Sequence, residues 1–271
     1  MIQDIAPHQL HIGYELRRDA EGHDFAVAAK DGELLVDEHG CIPTFDALGL
    51  SPKGAQYLFT MDTDAYYMVD ADANDAAFHF APSSSFRTVE PRYCAFAGIT
   101  AFQLVNFYRR NRFCSTCAHP LEHHKSERAL VCPECGRIVY PRISPAVIAA
   151  VVDGDRIVLT KYAGRAFKRY ALVAGYCEVG ESPEDTVRRE IFEETGLHVD
   201  NIQYYKSQPW SFTETLLMGF VAHLSGSDEI HMDKNELSVA EWVNRADIPD
   251  DMGEGSLTRE MILAFRDGKI G

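Results

Sequence analysis

The chain has 271 residues, 46% of them hydrophobic, which is enough to fill one large core or two smaller ones. Its 41 acidic residues outnumber its 26 basic residues. The formal net charge of −15 makes the average surface repel the nucleic-acid backbone, so a phosphate-bearing partner must be bound through local contacts. The N-terminus lacks the apolar segment of a signal peptide, and the longest apolar stretch, Ala146 to Val152, is too short to span a bilayer, so we expect a soluble, cytoplasmic protein with no membrane partner.

The first part of the chain, up to about residue 97, is predicted to form short strands between turns. Tyr57 to Thr60 and Tyr66 to Val69, for example, flank the turn-like segment Met61-Asp62-Thr63-Asp64. This region carries no catalytic motif. We expect it to pack against the rest of the chain or to assist dimerisation.

A helix is predicted from Ile99 to Tyr108, because the apolar residues there follow helical rather than alternating spacing. The basic residues Arg109, Arg110 and Arg112 suit the C-terminus of such a helix, where the helix dipole favours positive charge. We expect this helix to lead into the cysteine-rich segment that follows it.

Two buried strands are predicted further along, from Pro145 to Val152 and from Arg156 to Thr160. The turn Asp153-Gly154-Asp155 separates them, which is typical of a hairpin. We expect this hairpin to begin a separate domain.

Four of the seven cysteines fall in two Cys-x-x-Cys pairs, separated by residues 118–131. Two thiolate pairs on tight turns offer the four soft ligands in tetrahedral geometry that Zn²⁺ prefers, with no open ligand position, so the predicted site is structural. The pairing disfavours the simpler interpretation, four cysteines buried as small hydrophobic residues. The predicted zinc ligands are Cys114, Cys117, Cys132 and Cys135.

A zinc ribbon would also fit a nucleic-acid-binding module. The net charge of −15 weighs against that alternative, although the segment from His119 to Arg128 contains three histidines, a lysine and an arginine that could contact a polyanion. The remaining cysteines, Cys41, Cys94 and Cys177, are scattered, and this distribution suits a reducing compartment better than a disulfide framework.

A short acidic helix gives the strongest indication of function in the sequence. Ser182 is a good N-cap, Pro183 fits the first helical position, and Gly196 can end the helix in a left-handed conformation. Within it Glu190, Glu193 and Glu194 are spaced to share one face. Three crowded carboxylates repel one another, and this arrangement is favoured if hard divalent cations neutralise it.

The same segment resembles the Nudix box, Gly-x5-Glu-x7-Arg-Glu-U-x-Glu-Glu-x-Gly-U, in which U is aliphatic, at every defined position from Gly175 to Leu197. Seven fixed identities would occur by chance less than about once in 10⁸ starting positions. This spacing argues against the alternative of an ordinary solvated acidic surface. The resemblance implies hydrolysis of a nucleoside diphosphate linked to another moiety, by Mg²⁺ or Mn²⁺ bound to the substrate diphosphate.

Carried over position by position, the resemblance implies metal ligands at Glu190, Glu194 and the backbone carbonyl of Ala174. Glu193 is implied as an additional ligand or as a residue on the side of the catalytic base. Glu236, which precedes Trp242, resembles the family's late glutamate from outside the box.

The box residues Gly175, Glu181 and Arg189 are implied to be structural. In the family a salt bridge between the glutamate and the arginine holds the catalytic loop. We therefore expect an ion pair between Glu181 and Arg189.

Two features of the sequence narrow the range of possible substrates. Ser207 to Thr215 is similar to the Ser-Gln-Pro-Trp-Pro-Phe-Pro-x-Ser array of the NADH pyrophosphatases, and a zinc ribbon precedes the Nudix domain in that same family. Trp210 and Phe212 could form an apolar wall for a flat base, whereas a tryptophan packed in a core is the simpler alternative. Ser211 and Thr213 replace prolines of the family array, so we expect a more mobile loop.

The resemblance also implies contacts from Tyr140, Tyr176 and Glu127. The full set of implied substrate-binding residues is Glu127, Tyr140, Tyr176, Gln208, Pro209, Trp210, Ser211, Phe212, Thr213, Glu214 and Thr215.

The implied fold is an α/β Nudix α/β/α sandwich with a mixed sheet, preceded by a zinc ribbon and an N-terminal α+β domain. The expected boundaries are 1–110, 111–140 and 141–271, and the family suggests a homodimer. The implied reaction converts NAD(H) into NMN(H) and AMP, and the same scissile bond is present in NAD-capped RNA.

Two alternatives stay open at this point. The enzyme could prefer ADP-ribose or another dinucleotide, or the chain could be a zinc-ribbon binding protein with an inactive hydrolase domain. The complete box argues against the second, and the absence of a dinucleotide-binding fingerprint indicates that NAD would be a substrate and not a redox cofactor.

Overall fold

The computed structural model describes residues 1–72, 76–164, 169–249 and 255–271. They form two compact units. The C-terminal unit contains Met1, Ile143–Trp210 and Thr215–Gly271, and the N-terminal unit contains Ile2–Arg142 and Ser211–Glu214. None of the described helices is long and apolar enough to cross a membrane.

The elements are numbered in chain order. The strands are β1 (Leu10–His11), β2 (Phe25–Val27), β3 (Ala29–Lys30), β4 (Glu33–Val36), β5 (Gln56–Met61), β6 (Asp64–Met68), β7 (His79–Pro82), β8 (Glu122–His123), β9 (Leu130–Val131), β10 (Ile138–Val139), β11 (Ser144–Asp153), β12 (Arg156–Tyr162), β13 (Val173–Tyr176), β14 (Val199–Trp210), β15 (Thr215–Leu224) and β16 (Leu237–Asn244). The α-helices are α1 (Phe45–Leu48), α2 (Arg92–Arg110), α3 (Pro183–Thr195) and α4 (Leu257–Arg266). Short 3-10 turns cover Tyr14–Leu16, Ser83–Arg87, Ser211–Thr213 and Arg245–Asp247.

The C-terminal unit is built on a mixed sheet with strand order β14-β15-β11-β12-β16, and β13 also pairs with β11. β11 and β15 are parallel, whereas the other pairs are antiparallel. The predicted hairpin is confirmed: β11 and β12 are joined at Gly154-Asp155, and Gly154 adopts a positive φ of 56°.

Strand β11 shows why this sheet is covered on both faces. Val147, Ala149 and Val151 pack with residues of α3, whereas Ile148, Ala150 and Val152 pack with residues of α4. Because successive side chains on a strand point to opposite faces, one continuous apolar strand supplies both cores. This arrangement confirms the predicted α/β/α sandwich.

The N-terminal unit has two small sheets, β1-β5-β6-β2 and β3-β4-β7, and helix α2. The predicted strands on either side of Met61 to Asp64 are confirmed as β5 and β6, with Asp62 in the left-handed region at a φ of 53°. The unit also contains the small sheet β10-β9-β8 of the cysteine segment.

Helix α2 begins earlier than the sequence predicted. It begins at Arg92 instead of Ile99, and its first turns bury the small side chains Ala95 and Ala97. Gly98 lies under the ring of Phe86, where an added Cβ would be 2.1 Å from Cε1. The first turns also contain Tyr93 and Phe96, but the prediction used only the apolar residues from Ile99 to Tyr108 and therefore began the helix too late.

Candidate active site

Helix α3 is held at both ends by its own sequence. The hydroxyl of Ser182 accepts a hydrogen bond from the N–H of Asp185 at 3.1 Å and donates one to its carboxylate at 2.7 Å. Pro183 occupies the first helical position, and Gly196 ends the helix with a φ of 73°. The predicted caps and helix are therefore confirmed, and they fix which face of α3 carries the glutamates.

The guanidinium of Arg189 connects four groups of the Nudix-box segment. Its Nε and Nη2 donate to the two carboxylate oxygens of Glu181 at 2.6 and 2.9 Å. Nη1 donates to Glu190 at 2.7 Å and to Glu193 at 3.0 Å, and Nη2 also donates to the carbonyl of Tyr176 at 3.0 Å. The expected ion pair with Glu181 is present, and it links strand β13, the loop and the helix.

Glu181 receives further hydrogen bonds from the N–H of Glu178 at 3.1 Å and the hydroxyl of Thr186 at 2.9 Å. Arg189 is the main reason that the pKa of Glu181 falls to about 2. Glu181 is therefore ionised across the physiological pH range, so the loop stays tied to the helix.

Glu194 is the most enclosed carboxylate of this face. The residue is only 3% exposed, and its Oε2 has no hydrogen-bond partner among the residues that the structure describes. Burial raises the pKa of Glu194 to about 8, and the nearby carboxylates of Glu190 and Glu236 add to this effect, whereas a backbone hydrogen bond from Ala174 opposes it. A buried acceptor without a donor is costly, and it suits an oxygen that serves as a cation ligand.

Glu190 sits in a recess that only glycine can provide. A Cβ added to Gly175 would lie 1.9 to 2.3 Å from the carboxylate atoms of Glu190. Burial raises the pKa of Glu190, although Arg189 acts in the opposite direction. The box glycine therefore makes room for a glutamate of the same box.

A loop brings Glu236 to this cluster. The N–H of Asp233 donates to the carbonyl of Glu194 at 3.0 Å, and the N–H of His231 donates to the carbonyl of Thr195 at 2.8 Å. The carboxylate of Asp233 then accepts from the N–H of Asn235 at 2.9 Å and forms a tight turn before Glu236. Glu236 acts electrostatically on both Glu190 and Glu194, so the structure places it with them.

Three other predicted site residues, Ala174, Tyr176 and Glu193, also lie in the C-terminal unit. Ala174 lies in β13 opposite Ile148 of β11, and Tyr176 ends that strand. Tyr176 is 48% exposed, and its hydroxyl lies 3.2 Å from that of Thr215. Glu193 is exposed on the outer side of the acidic face.

The array from Ser207 to Thr215 forms two strand ends and a short turn instead of one loop. Pro209 and Trp210 belong to β14 and pair with Leu216 and Thr215 of β15. Only Ser211, Phe212 and Thr213 lie in the 3-10 turn, and Glu214 follows in the left-handed region. Ser211 and Thr213, where the family array has prolines, both lie in this turn and outside the paired strands.

Gln208 is fully buried and serves the fold. Its amide donates to the carbonyl of Gly255 at 3.0 Å, and its side-chain oxygen accepts from the N–H of Leu257 at 2.8 Å. These bonds hold the start of α4 against β14. Sequence reasoning missed this role, because the partners are nearly fifty residues away.

The N-terminal unit contains the other implied substrate residues. The hydroxyl of Tyr140 donates to the carboxylate of Glu127 at 2.6 Å. The ring of Phe212 lies under the guanidinium of Arg87 at 5.0 Å, and Glu214 pairs with Arg110 at 2.9 Å. These contacts orient the side chains of Tyr140 and Glu127 and fix the turn that carries Phe212.

The four predicted zinc cysteines converge in the same unit. All four Sγ atoms lie within 4.8 Å of one another, with Cys114 3.6 Å from Cys135 and Cys117 3.4 Å from Cys132. The N–H of Thr116 donates to Sγ of Cys114 and is the main reason that the pKa of this thiol falls to about 6. Four convergent sulfurs, one of them readily ionised, fit a tetrahedral zinc ion.

Comparisons with known proteins agree with this geometry. Residues 142–263 match the NUDIX domain, and residues 109–140 match the NADH pyrophosphatase zinc ribbon domain. The chain is 33% identical over 243 residues to the NAD-capped RNA hydrolase NudC of Klebsiella pneumoniae, covering 89% of each protein. The chain belongs to this family of Nudix hydrolases, the NADH pyrophosphatases.

Two further proteins are similar. The NAD-capped RNA hydrolase NudC of Pectobacterium atrosepticum is 38% identical over 160 residues, which is 59% of this chain and 61% of that protein. A solved Nudix hydrolase from Nitrosomonas europaea is 21% identical with a TM-score of 0.49, covering 58% of this chain and 91% of the other.

The zinc ribbon of this Nudix hydrolase offers four sulfurs that fit a structural zinc ion. Replacing Cys132 by serine removes one of its four sulfurs, so we expect the protein to lose its bound zinc, about one ion per chain, and to unfold at a lower temperature. Elemental analysis and thermal unfolding measure both effects. Cys177→Ser, which changes a cysteine of the C-terminal unit, is the matched control and should retain zinc; full zinc content in Cys132→Ser would contradict the assignment.

The raised pKa of Glu194 predicts a pH-dependent stability when no divalent cation is added. The folded protein holds this proton up to about pH 8, whereas an unfolded glutamate releases it near pH 4.3. The stability that Glu194 contributes is therefore complete below about pH 4 and is lost as the pH rises through about 8.

Glu194→Gln imitates the protonated form, so its advantage in free energy of unfolding should grow between pH 5 and pH 8, on the order of a few kcal/mol. Urea unfolding of zinc-loaded protein at several pH values measures this difference. Glu184→Gln, an exposed position on the same helix, should show no such trend. A difference that stays constant with pH would contradict the prediction.

Proposed function

We propose that this protein hydrolyses the diphosphate bond of NAD(H) to NMN(H) and AMP, with Mg²⁺ or Mn²⁺, and removes NAD caps from RNA 5′ ends by the same chemistry. The observation that carries the proposal is the buried Oε2 of Glu194, which lies beside Glu190 and Glu236 and has no hydrogen-bond partner within the described ranges. It stands in a chain whose relatives are NAD-capped RNA hydrolases.

The proposed cation ligands are the carboxylates of Glu190, Glu194 and Glu236 and the carbonyl of Ala174. Hard oxygen donors of this kind fit Mg²⁺ or Mn²⁺, and the uncompensated negative charge around Glu194 supports a cation there. When bound, the ion supplies positive charge for the diphosphate oxygens and for the attacking water.

The chain's own residues prepare the site for in-line attack of water on one phosphorus. Arg189 keeps Glu190 and Glu193 in fixed positions through hydrogen bonds of 2.7 and 3.0 Å. Glu193, on the exposed side, is proposed as an additional ligand or as the group that accepts the proton of the attacking water. Gly175, Glu181 and Arg189 are proposed to act structurally, because their contacts set the position of the carboxylates.

The base-contacting residues are also proposals. In the C-terminal unit, the half-exposed ring of Tyr176 and the ring of Trp210 at the end of β14 offer flat apolar surfaces for stacking. In the N-terminal unit, Tyr140 is proposed as a further base-contacting ring and Glu127 as a polar contact, and the hydroxyl of Tyr140 donates a hydrogen bond to the carboxylate of Glu127. The family resemblance assigns the turn residues from Ser211 to Thr215 as well.

Two further proposals concern the protein as a whole. A homodimer is proposed from the family resemblance. A cytoplasmic location is proposed because zinc-binding thiolates persist best in a reducing compartment.

The direct test is hydrolysis of NADH, NAD⁺, ADP-ribose and an NAD-capped RNA by purified protein with Mg²⁺. We expect NADH or the capped RNA to be split fastest, with release of AMP or of RNA carrying a 5′ monophosphate. Glu194→Gln and Glu190→Gln should lose more than about 100-fold in turnover, because each removes a charged ligand of the proposed cation, whose positive charge stabilises the transition state. Glu184→Gln is the matched control. Preference for ADP-ribose would contradict the substrate, and unaltered turnover in Glu194→Gln would contradict the site.

The recess at Gly175 gives a second test. In Gly175→Ala the new methyl group would overlap the carboxylate of Glu190, so we expect Mg²⁺ to bind more weakly and turnover to fall by at least about tenfold. Calorimetric titration of Mg²⁺ separates the loss of binding from a loss of folding. Gly13→Ala is the control, since its new methyl group would meet only the exposed end of Glu15. Wild-type Mg²⁺ affinity in Gly175→Ala would rule out this role of the glycine.

A further inference from the structure

The loop between β8 and β9 of the zinc ribbon, residues 124–129, carries Glu127 and is called the ribbon loop below. Its backbone is closed by short-range hydrogen bonds. The N–H of His124 donates to the carbonyl of Ala129 at 2.9 Å, and the N–H of Ala129 donates to the carbonyl of Glu127 at 2.9 Å. Nδ1 of His124 accepts from the N–H of Glu127 at 3.2 Å. These bonds set the shape of the ribbon loop, and other contacts attach it to the rest of the N-terminal unit.

Two arginines make that attachment, one from each side. Arg17 belongs to the segment after β1, and its Nη2 donates to the carbonyl of Lys125 at 2.8 Å. In the opposite direction, Nη2 of Arg128 donates to the carbonyl of Ile12, directly after β1, at 2.7 Å. Lys125 and Arg128 stand on either side of Glu127 in the chain. The ribbon loop is therefore tied to the first segment of the chain both before and after this glutamate.

The guanidinium of Arg128 also lies against two aromatic rings. Its central carbon is 5.3 Å from the centre of the Tyr14 ring and 6.0 Å from that of Tyr57, in β5. Burial lowers the pKa of Arg128, and the electron-rich faces of the rings and the carbonyl of Ile12 stabilise its charge. Arginine can lie flat on a ring while an N–H at its edge donates to a carbonyl, and lysine has no such planar head group.

The side chain of Glu127 is fixed from a third direction. Its Oε2 accepts a hydrogen bond from the hydroxyl of Tyr140 at 2.6 Å. Tyr140 directly follows β10, which pairs with β9 in the small sheet of the ribbon. The arginines thus hold the backbone on both sides of Glu127, and the ribbon sheet supplies the group that orients its carboxylate.

We propose that Arg128 and Arg17 are positioning residues for the substrate: by attaching the ribbon loop to the first segment of the chain, they hold the Glu127 carboxylate in the position from which it contacts NAD(H). This inference rests on the proposed function, in which Glu127 is a polar contact. Both arginines act through the backbone of the ribbon loop. Because Glu127 takes no part in the chemistry at the diphosphate, loss of either arginine should raise KM and leave kcat close to the wild-type value.

The first experiment measures the attachment without using activity. In the zinc-loaded full chain, the amides of residues 124–129 should exchange with deuterium at least about tenfold faster in Arg128→Lys and in Arg17→Ala, while the zinc content stays unchanged. Arg137→Ala is the matched control, because this ribbon arginine donates to the hydroxyl of Thr116 at 3.0 Å and makes no bond to the ribbon loop. Unaltered exchange of the ribbon loop in both variants would overturn the proposal.

The second experiment is a double-mutant cycle with NADH as the substrate. Arg128→Lys and Arg17→Ala should each raise KM by about tenfold with little change in kcat, and Glu127→Ala should raise it at least as much. Combining Arg128→Lys with Glu127→Ala should add little to the effect of Glu127→Ala, because the arginine acts through the glutamate. A purely structural role would make the two effects additive, and additive increases in KM would overturn the proposal. Arg137→Ala should keep the wild-type KM.

The outcomes also separate this inference from the function on which it rests. A wild type that hydrolyses neither NADH nor NAD-capped RNA would contradict the proposed function and this inference with it. An active wild type whose KM is unaltered in both arginine variants would contradict the inference alone. If Arg128→Lys does not fold, Arg17→Ala provides the same test, because Arg17 is exposed.

Discussion

The crowding of carboxylates on one face of α3 is the constraint around which the C-terminal unit is arranged. Arg189 relieves part of it by binding Glu181, Glu190 and Glu193 at once. Within the described part of the chain, Glu194 stays buried without a cationic partner, and its raised pKa keeps it protonated while no cation is bound. A divalent cation at this place would displace that proton and balance the carboxylates.

The elements around α3 follow from that constraint. β13 must come close enough for its backbone to meet Glu194 and Glu190, and Gly175 permits this approach because it has no side chain. The last carbonyls of α3 have no hydrogen-bond donor within the helix. They accept hydrogen bonds from the N–H groups of His231 and Asp233. These two hydrogen bonds also hold the loop that places Glu236 near Glu190 and Glu194.

Local signals predicted the parts of this structure that depend on near neighbours. The cap at Ser182, the hairpin turn at Gly154 and the cysteine pairs each have a mechanism that operates within a few residues, and the structure contains all three. The bonds of Gln208 join distant segments, and only the tertiary fold brings those segments together. Glu236 is an intermediate case. No local pattern predicted that it lies near the acidic face of α3, but the family resemblance did.

The two metal sites differ in the kind of ligand that each unit presents. The ribbon offers four sulfurs, which bind zinc strongly and magnesium hardly at all. The proposed site on α3 offers only oxygens, several of them on flexible glutamates, which suits an ion that keeps water and substrate phosphate as ligands. Because ligand softness separates the two sites, the protein can retain its zinc ion while a more weakly held cation comes and goes with the substrate. The chemistry of the side chains thus supports one ion for structural stability and a different ion for the proposed catalysis.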